Sequence, residues 1–124
     1  MEPKLLKSVM NSREIEYIKM EAEELKRPLE RDQAEKLREM MIQTVESGTG
    51  RSARVKGLEV GGKTGTAEVS DEEDSKPHAW FTGFIYSDTH PIAIAVVLEH
   101  AGAGGSYAAP LAGKVLEKAV ELGY

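Results

Sequence analysis

Residues 63–66 read Lys-Thr-Gly-Thr and are the most informative stretch of this chain. The ammonium group of Lys63 and the hydroxyls of Thr64 and Thr66 line one strand, a combination suited to holding a carboxylate. Gly65 removes a Cβ at a point where the backbone of a ligand would come close. Residues 63–66 therefore predict a substrate-binding strand. The alternative is an exposed strand with a glycine bulge, because the tripeptide Lys-Thr-Gly is common by chance.

Two further strands follow this stretch. Residues 79–86 are rich in aromatic side chains, and residues 92–98 form a continuous, largely β-branched run. Such a run is typical of a strand that is covered on both faces. Residues 70–76 include four acidic side chains and suit a solvated hairpin loop, and residues 87–91 suit a turn. Short connections predict three sequential antiparallel strands, with the Lys63 strand (63–69) on the outside.

Helices are predicted on both sides of the strands, over residues 31–47 and 107–122. In each segment, apolar residues recur at spacings of three and four, which places them on one helix face. In the first helix these are Ala34, Leu37, Met41 and Val45, widened by Met40 and Ile42; in the second they are Leu111, Val115, Leu116, Ala119 and Val120. The fold class is therefore α+β, a three-stranded antiparallel sheet with flanking helices.

The N-terminal residues 1–28 carry weak and mixed signals. Some stretches have β-branched character, and residues 20–26 have strong helix formers. We interpret residues 1–28 as a connecting segment with one short strand or helical turn. Residues 29–124 form the predicted helix–sheet–helix core, and residues 1–124 together form a single domain.

Composition narrows the possible functions. The chain has 124 residues, a size that suits one domain, and no cysteine. Sixteen basic and 21 acidic residues give a net charge of −5, which argues against general nucleic-acid binding. The longest apolar stretch, residues 91–98, is far shorter than a membrane span. The first residues begin neither a signal peptide nor an anchor.

An ordered series of short motifs resembles the C-terminal half of the transpeptidase domain of the penicillin-binding proteins. The resemblance covers roughly residues 29–124. Its motifs are Gly48-Thr49-Gly50, Lys63-Thr64-Gly65-Thr66, Trp80-Phe81-Thr82-Gly83-Phe84, Gly104-Gly105 and Ala108-Ala109-Pro110. It implies a partial penicillin-binding/β-lactamase-like transpeptidase fold. A fragment of the related serine β-lactamases is an alternative, but the acidic hairpin and the Ala-Ala-Pro helix start look more like the transpeptidase branch.

The resemblance also implies a site and a setting. In the family, the Lys-Thr-Gly strand holds a peptidoglycan stem peptide ending in D-Ala-D-Ala, or a β-lactam that mimics it. The substrate-binding residues carried over are Lys63, Thr64, Gly65 and Thr66, and the backbone N–H at Thr66 corresponds to one arm of the oxyanion hole. The family works in the extracytoplasmic cell envelope, outside the membrane.

Two signatures of this enzyme class are missing from the chain. No serine is followed three positions later by lysine, or two positions later by asparagine. The acylating serine and its general-base lysine are therefore absent, and we assign no catalytic residue. The sequence predicts a chain that supplies the carboxylate-binding and oxyanion strand of a transpeptidase but is inactive by itself.

Other side chains suggest no second chemistry. His78 is expected to cap the start of a strand and to be partly solvated. His78, His90 and His100 lack the spacing of metal ligands, so no metal and no cofactor are predicted. The aromatic residues Trp80, Phe81 and Phe84 are expected to lie in the core.

The alternative function is a non-catalytic α+β scaffold or self-association module. Residues 92–98 contain no charged side chain to protect a sheet edge. Because the corresponding strand is interior to a five-stranded sheet in the family, this edge predicts a partner. We expect either a homodimer, in which two such edges pair or exchange elements, or a complementing N-terminal half.

Overall fold

A computed structural model describes residues 8–10, 16–19, 26–69 and 75–124. The chain divides into two compact units between Gln33 and Ala34. Residues 70–74 of the predicted acidic loop (70–76) lie outside the described residues. The same is true of residues 20–25 of the predicted helix-forming stretch (20–26).

The N-terminal unit contains two short strands where one strand or helical turn was predicted. β1 (Ser8–Met10) and β2 (Glu16–Lys19) pair antiparallel, with Ser8 opposite Lys19. The expectation of a single element was therefore wrong. β character is divided between two separate stretches of sequence, and each needs a partner strand for its backbone hydrogen bonds.

The C-terminal unit is built on the predicted three-stranded antiparallel sheet. β3 (Val60–Ala67), β4 (His78–Ile85) and β5 (Ala93–Leu98) lie in the order β3-β4-β5, so the Lys63 strand is at an edge as predicted. The register places Lys63 opposite Thr82 and Thr82 opposite Ala95. This arrangement confirms the predicted α+β class and strand order.

Two helices accompany the sheet, α1 (Arg31–Glu46) and α2 (Ala108–Glu121), with a 3₁₀ turn (Arg51–Ala53) between α1 and β3. No helix within residues 26–69 and 75–124 is both long and apolar enough to cross a membrane. The core lies between one sheet face, α2, the 3₁₀ turn and the end of α1. Its largest fully buried side chains are Phe81, Leu116 and Val45.

The buried face of α2 differs from the predicted stripe. Leu116 is buried as expected, but Leu111 and Val115 are 39% and 47% exposed. Small residues take their place in the core: Ala108, Ala109, Ala112 and Gly113. A Cβ on Gly113 would lie 3.0 Å from the Cα of Ala53 in the 3₁₀ turn. Close backbone approach, which apolar periodicity does not encode, therefore decides which face of α2 is buried.

The apolar stripe of α1 is only partly buried. Ile42 and Val45 are buried, whereas Leu37 is 44% and Met40 is 58% exposed. The described structure therefore covers the last turns of this helix and leaves apolar side chains of its earlier turns in solvent.

The prediction that residues 92–98 are covered on both faces is not met in the described structure. Ile94, Val96 and Leu98 pack against the core, whereas Ala93, Ala95 and Val97 are exposed. β5 forms an edge of the described sheet, and α2 lies against only one of its faces.

Candidate functional site

The open edge of β3 carries the main-chain groups of Thr64 and Thr66. The N–H of Tyr86 donates to the carbonyl of Glu59 at 2.8 Å, which fixes Glu59 and Tyr86 as a hydrogen-bonded pair. Such pairs recur every second residue in an antiparallel ladder, so Lys63 and its odd-numbered neighbours bond to β4. The N–H and carbonyl groups of Thr64 and Thr66 consequently point outward, away from the sheet.

Hydroxyl groups gather beside this edge. The Oγ1 atoms of Thr49 and Thr64 are 2.8 Å apart and share a hydrogen bond. The N–H of Gly104 donates to Oγ1 of Thr66 at 3.4 Å. Thr49 lies just beyond the end of α1, and Gly104 lies in the loop before α2. The segment after α1 and the loop before α2 thus contact the two threonines of β3.

The loop before α2 can approach β3 because it carries no side chain at residue 104. A Cβ on Gly104 would collide with the backbone carbonyl oxygens of Gly65 and Trp80. Gly104 is buried, and its N–H is the donor to Thr66. The Gly104-Gly105 motif therefore allows this loop to pack against the strand that carries the threonines.

These segments border an open cleft of about 660 Å³. Of its described lining residues, five bear hydroxyl groups, one is an arginine, and none is acidic. The lining residues are Gly48, Thr49, Arg51, Ser52, Thr64, Thr66, Ala103, Gly105 and Ser106. Hydroxyl donors together with a cation suit a bound anion such as a carboxylate.

Lys63 lies on the opposite face of β3 from the two threonine side chains, since side chains alternate along a strand. It is exposed, and its Nζ donates to the outward-pointing carbonyl of Thr64 at 2.6 Å. The ammonium group thus reaches the open edge from the other side. Of the four predicted substrate-binding residues, Thr64 and Thr66 line the cleft and Lys63 contacts the edge beside it.

Gly65 lies close to other residues on both faces of the strand. A Cβ at this position would lie 3.2 Å from the Cβ of Trp80 on one face. On the other face, Gly104 approaches the carbonyl of Gly65. The absence of a side chain at Gly65 therefore serves contacts within the protein.

The aromatic residues of β4 divide between the two sheet faces. Phe81 is 1% exposed and lies in the core, as predicted. Trp80 is 43% exposed, so the expectation that it belongs to the core was wrong. Its position opposite Gly65 places it on the face that carries Lys63, which the described structure leaves open.

His78 begins β4 and is half-buried, as predicted. Its Nδ1 accepts a hydrogen bond from the backbone N–H of His100 at 3.0 Å, and the two rings stack edge to face at 4.8 Å. Within the described ranges, no group of three or more histidine, aspartate or glutamate side chains could hold a metal ion.

Sequence reasoning did not assign Thr49 or Arg51 to the site. The available signal was the Gly48-Thr49-Gly50 triplet, which was noted only as part of a motif series. Neither residue has a distinctive spacing relative to Thr64. Their proximity depends on how the segment after α1 packs against β3, and a single sequence does not reveal such packing.

Comparison with known proteins identifies the family and the fold of this chain. Residues 1–117 match the family described as the penicillin binding protein transpeptidase domain. The chain is 40% identical over 94 residues to the peptidoglycan D,D-transpeptidase MrdA of Acinetobacter baumannii, covering 66% of this chain and 14% of that protein.

Solved structures give the same result. Penicillin-binding protein A of Mycobacterium tuberculosis, solved as a ceftriaxone acyl-enzyme complex, superposes with a TM-score of 0.83 and 27% identity. The match covers 95% of this chain and 28% of that one. PBP2 of Helicobacter pylori, solved in complex with MreC, gives a TM-score of 0.65 and 35% identity over 82% of this chain and 20% of that one.

Proposed function

This chain belongs to the penicillin-binding protein transpeptidase family, and on that premise we propose that the open edge of β3 holds the carboxyl end of a peptide or a β-lactam. The chain matches part of the transpeptidase domain of peptidoglycan D,D-transpeptidases. One observation carries the proposal: the hydroxyls of Thr64 and Thr66 face an anion-suited cleft, directly beside their own outward-pointing main-chain groups.

Each part of a D-Ala-D-Ala terminus then finds a counterpart. The terminal carboxylate accepts hydrogen bonds from the threonine hydroxyls. The extended peptide adds to the edge of β3 and bonds to the carbonyl of Thr64 and the N–H of Thr66. Because the N–H of Thr66 is directed out of the sheet, it also suits an oxyanion at the scissile carbonyl. A β-lactam carboxylate would take the same place as the peptide carboxylate.

The nucleophile of the reaction is not supplied by these residues. The chain contains neither Ser-x-x-Lys nor Ser-x-Asn, so no serine here has the lysine that would activate it. The chain spans 14% of the length of the first relative. We therefore assign this chain the carboxylate-binding and oxyanion part of a site whose acylating serine lies elsewhere. Its setting would be peptidoglycan synthesis in the extracytoplasmic cell envelope.

Self-association through β5 is a second proposal, and a separate observation favours it. The outward-facing residues of β5 are Ala93, Ala95 and Val97, and Val97 is 42% exposed. The N–H of Ile85 donates to the carbonyl of Ile92 at 2.8 Å, so the main-chain groups of Ala93, Ala95 and Val97 point away from β4. An unprotected edge of this kind favours pairing with a second copy or with a complementing segment.

Two measurements on the 124-residue chain test the carboxylate proposal. Intact-mass spectrometry after incubation with benzylpenicillin should reveal no covalent adduct. NMR titration with Nα-acetyl-Lys-D-Ala-D-Ala should shift the amide signals of Thr64 and Thr66 without covalent change. A stoichiometric adduct that is abolished by replacing a single serine would contradict the assignment of the nucleophile. Saturating shifts confined to the exposed face of β4 would contradict the assignment of the cleft.

A further inference from the structure

Arg51 supplies the only cationic side chain among the described residues that line the cleft. Within the described part of the chain, no acidic side chain lines the cleft. Five other lining residues bear hydroxyl groups: Thr49, Ser52, Thr64, Thr66 and Ser106. A site with many hydroxyl donors and a single positive charge favours one anionic group over a neutral polar one.

The backbone that carries Arg51 is held firmly in place. Arg51 begins the 3₁₀ turn, in which the N–H of Ala53 donates to the carbonyl of Gly50 at 2.8 Å. Ala53 is completely buried and packs against α2 at Gly113. Packing of the 3₁₀ turn in the core therefore fixes the position of the Arg51 Cα relative to β3.

Arg51 is exposed, and its side chain makes no hydrogen bond or ion pair with the part of the chain that the structure describes. Two other arginines have internal partners. Nε of Arg54 donates to the carbonyl of Val45 at 3.1 Å, and Arg38 donates to the hydroxyl of Tyr86 at 3.1 Å while lying over its ring. Arg51 alone among these three lines the cleft.

Lys63 is less well placed to recognise the same anion. Its side chain leaves the opposite face of β3, and its Nζ already donates to the carbonyl of Thr64 at 2.6 Å. A ligand carboxylate on the threonine hydroxyls would lie in the cleft, on the side of the strand that Arg51 lines.

From this arrangement we infer that Arg51 forms an ion pair with the ligand carboxylate that Thr64 and Thr66 hydrogen-bond. Arg51 is thus a binding residue that selects a charged over an amidated C-terminus. The inference rests on the proposed function, because it names the charge partner within the same carboxylate site.

The experiment compares two probes, Nα-acetyl-Lys-D-Ala-D-Ala and its C-terminal amide. Their dissociation constants are measured by NMR titration on the wild-type chain and on Arg51→Ala, Arg51→Lys and Lys56→Ala. Lys56 is an exposed cation outside the cleft, so its replacement removes the same charge without changing the site. Amide spectra of the ligand-free variants verify that each is folded. If Arg51→Ala alters the fold, Arg51→Lys tests the same position while it preserves the charge.

The wild-type chain should bind the acid more tightly than the amide. Arg51→Ala should weaken acid binding about tenfold and leave amide binding nearly unchanged, because a charged hydrogen bond is lost. Arg51→Lys should retain part of the preference, since a point charge remains without the bidentate fork. Lys56→Ala should retain the acid-to-amide ratio of the wild type.

Two results would overturn the inference, and they differ in what they imply for the site. If Arg51→Ala keeps the acid-to-amide ratio while Thr64→Val abolishes it, the carboxylate site stands and Arg51 has no part in it. If the wild-type chain binds acid and amide equally, or binds neither, the proposed carboxylate site itself fails, and the inference fails with it.

Discussion

β3 and β5 are the two edges of one described sheet, and they are built for different neighbours. β3 presents the main-chain groups of Thr64 and Thr66 beside a hydroxyl-lined cleft, with the charged Lys63 at the edge. β5 presents only Ala93, Ala95 and Val97 outward and carries no charged residue.

The difference follows from how sheets protect their edges. A charged side chain on an edge strand disfavours permanent pairing with the sheet edge of another protein chain, whereas an uncharged apolar edge favours it. β3 is thereby suited to a small, polar, transient ligand, and β5 is suited to permanent cover by protein.

The largest expected effect is on the loop that shapes the β3 edge. In Gly104→Ala, the new Cβ collides with the backbone carbonyls of Gly65 and Trp80, which cannot give way without breaking the sheet. We expect a loss of about 2 kcal/mol in the free energy of unfolding, measured by urea denaturation. The matched control is Ala103→Val, which adds more volume at an exposed neighbouring position and should change stability by less than about 0.5 kcal/mol. Equal stability of the Gly104→Ala variant and wild type would show that the contact is not rigid.

Next comes the loss of a hydroxyl from the β3 edge. Thr64→Val removes the 2.8 Å hydrogen bond with Thr49 and a donor for the ligand carboxylate. The affinity for Nα-acetyl-Lys-D-Ala-D-Ala, measured by NMR titration, should fall about tenfold. Thr82→Val makes the same chemical change on the opposite sheet face and should leave the affinity unchanged. An equal loss in both variants would argue against a site confined to the cleft.

A smaller effect is expected from placing a charge on β5. In a pairing of two β5 edges, Val97→Lys places a charged side chain on each edge, which disfavours strand pairing. The association constant from sedimentation equilibrium should fall about fivefold, or roughly 1 kcal/mol. Leu111→Lys, a comparable change on the exposed face of α2, should not affect it. A wild-type chain that sediments as a 13.6 kDa monomer at micromolar concentration would argue against the pairing.

The smallest effect is expected far from both edges, at an exposed pair on α2. Nζ of Lys118 lies 2.7 Å from Oε2 of Glu121, and this hydrogen bond and charge raise the pKa of Lys118 above 10.5. Because the pKa is raised, any stabilisation by the pair is present below pH 10.5 and is lost as the pH rises through the raised pKa. Glu121→Gln should lower the pKa of Lys118 in an NMR titration and leave Tm at pH 7 unchanged. A clear drop in Tm would mean that the pair supports the helix.

The strand order could be predicted because it rests on local features. The alternation of apolar runs with short turns fixes β3, β4 and β5 as sequential neighbours, and the edge position of Lys63 follows from that order. The two hydroxyls of the site were likewise visible as a motif, since Thr64 and Thr66 are adjacent in sequence to the lysine and glycine that define it.

Other features of the site could not be predicted because they depend on distance in space. Arg51 and Thr49 reach the cleft only through the packing of the 3₁₀ turn against α2 and of the segment after α1 against β3. The division of Lys63 and the threonines between two faces follows from strand alternation, but which face carries the cleft depends on where Gly104 docks.

Local patterns along the chain were sufficient to predict the α+β class, the antiparallel order of the strands, the edge position of the Lys-Thr-Gly-Thr strand and the family. These properties depend on periodicity and on neighbours in sequence. Tertiary packing accounts for the rest: small residues take the place of Leu111 and Val115 on the buried face of α2, Trp80 is 43% exposed, and Arg51 lines the cleft. The physical reason is that these outcomes depend on how closely two backbones can approach, and that distance is set jointly by segments far apart in sequence.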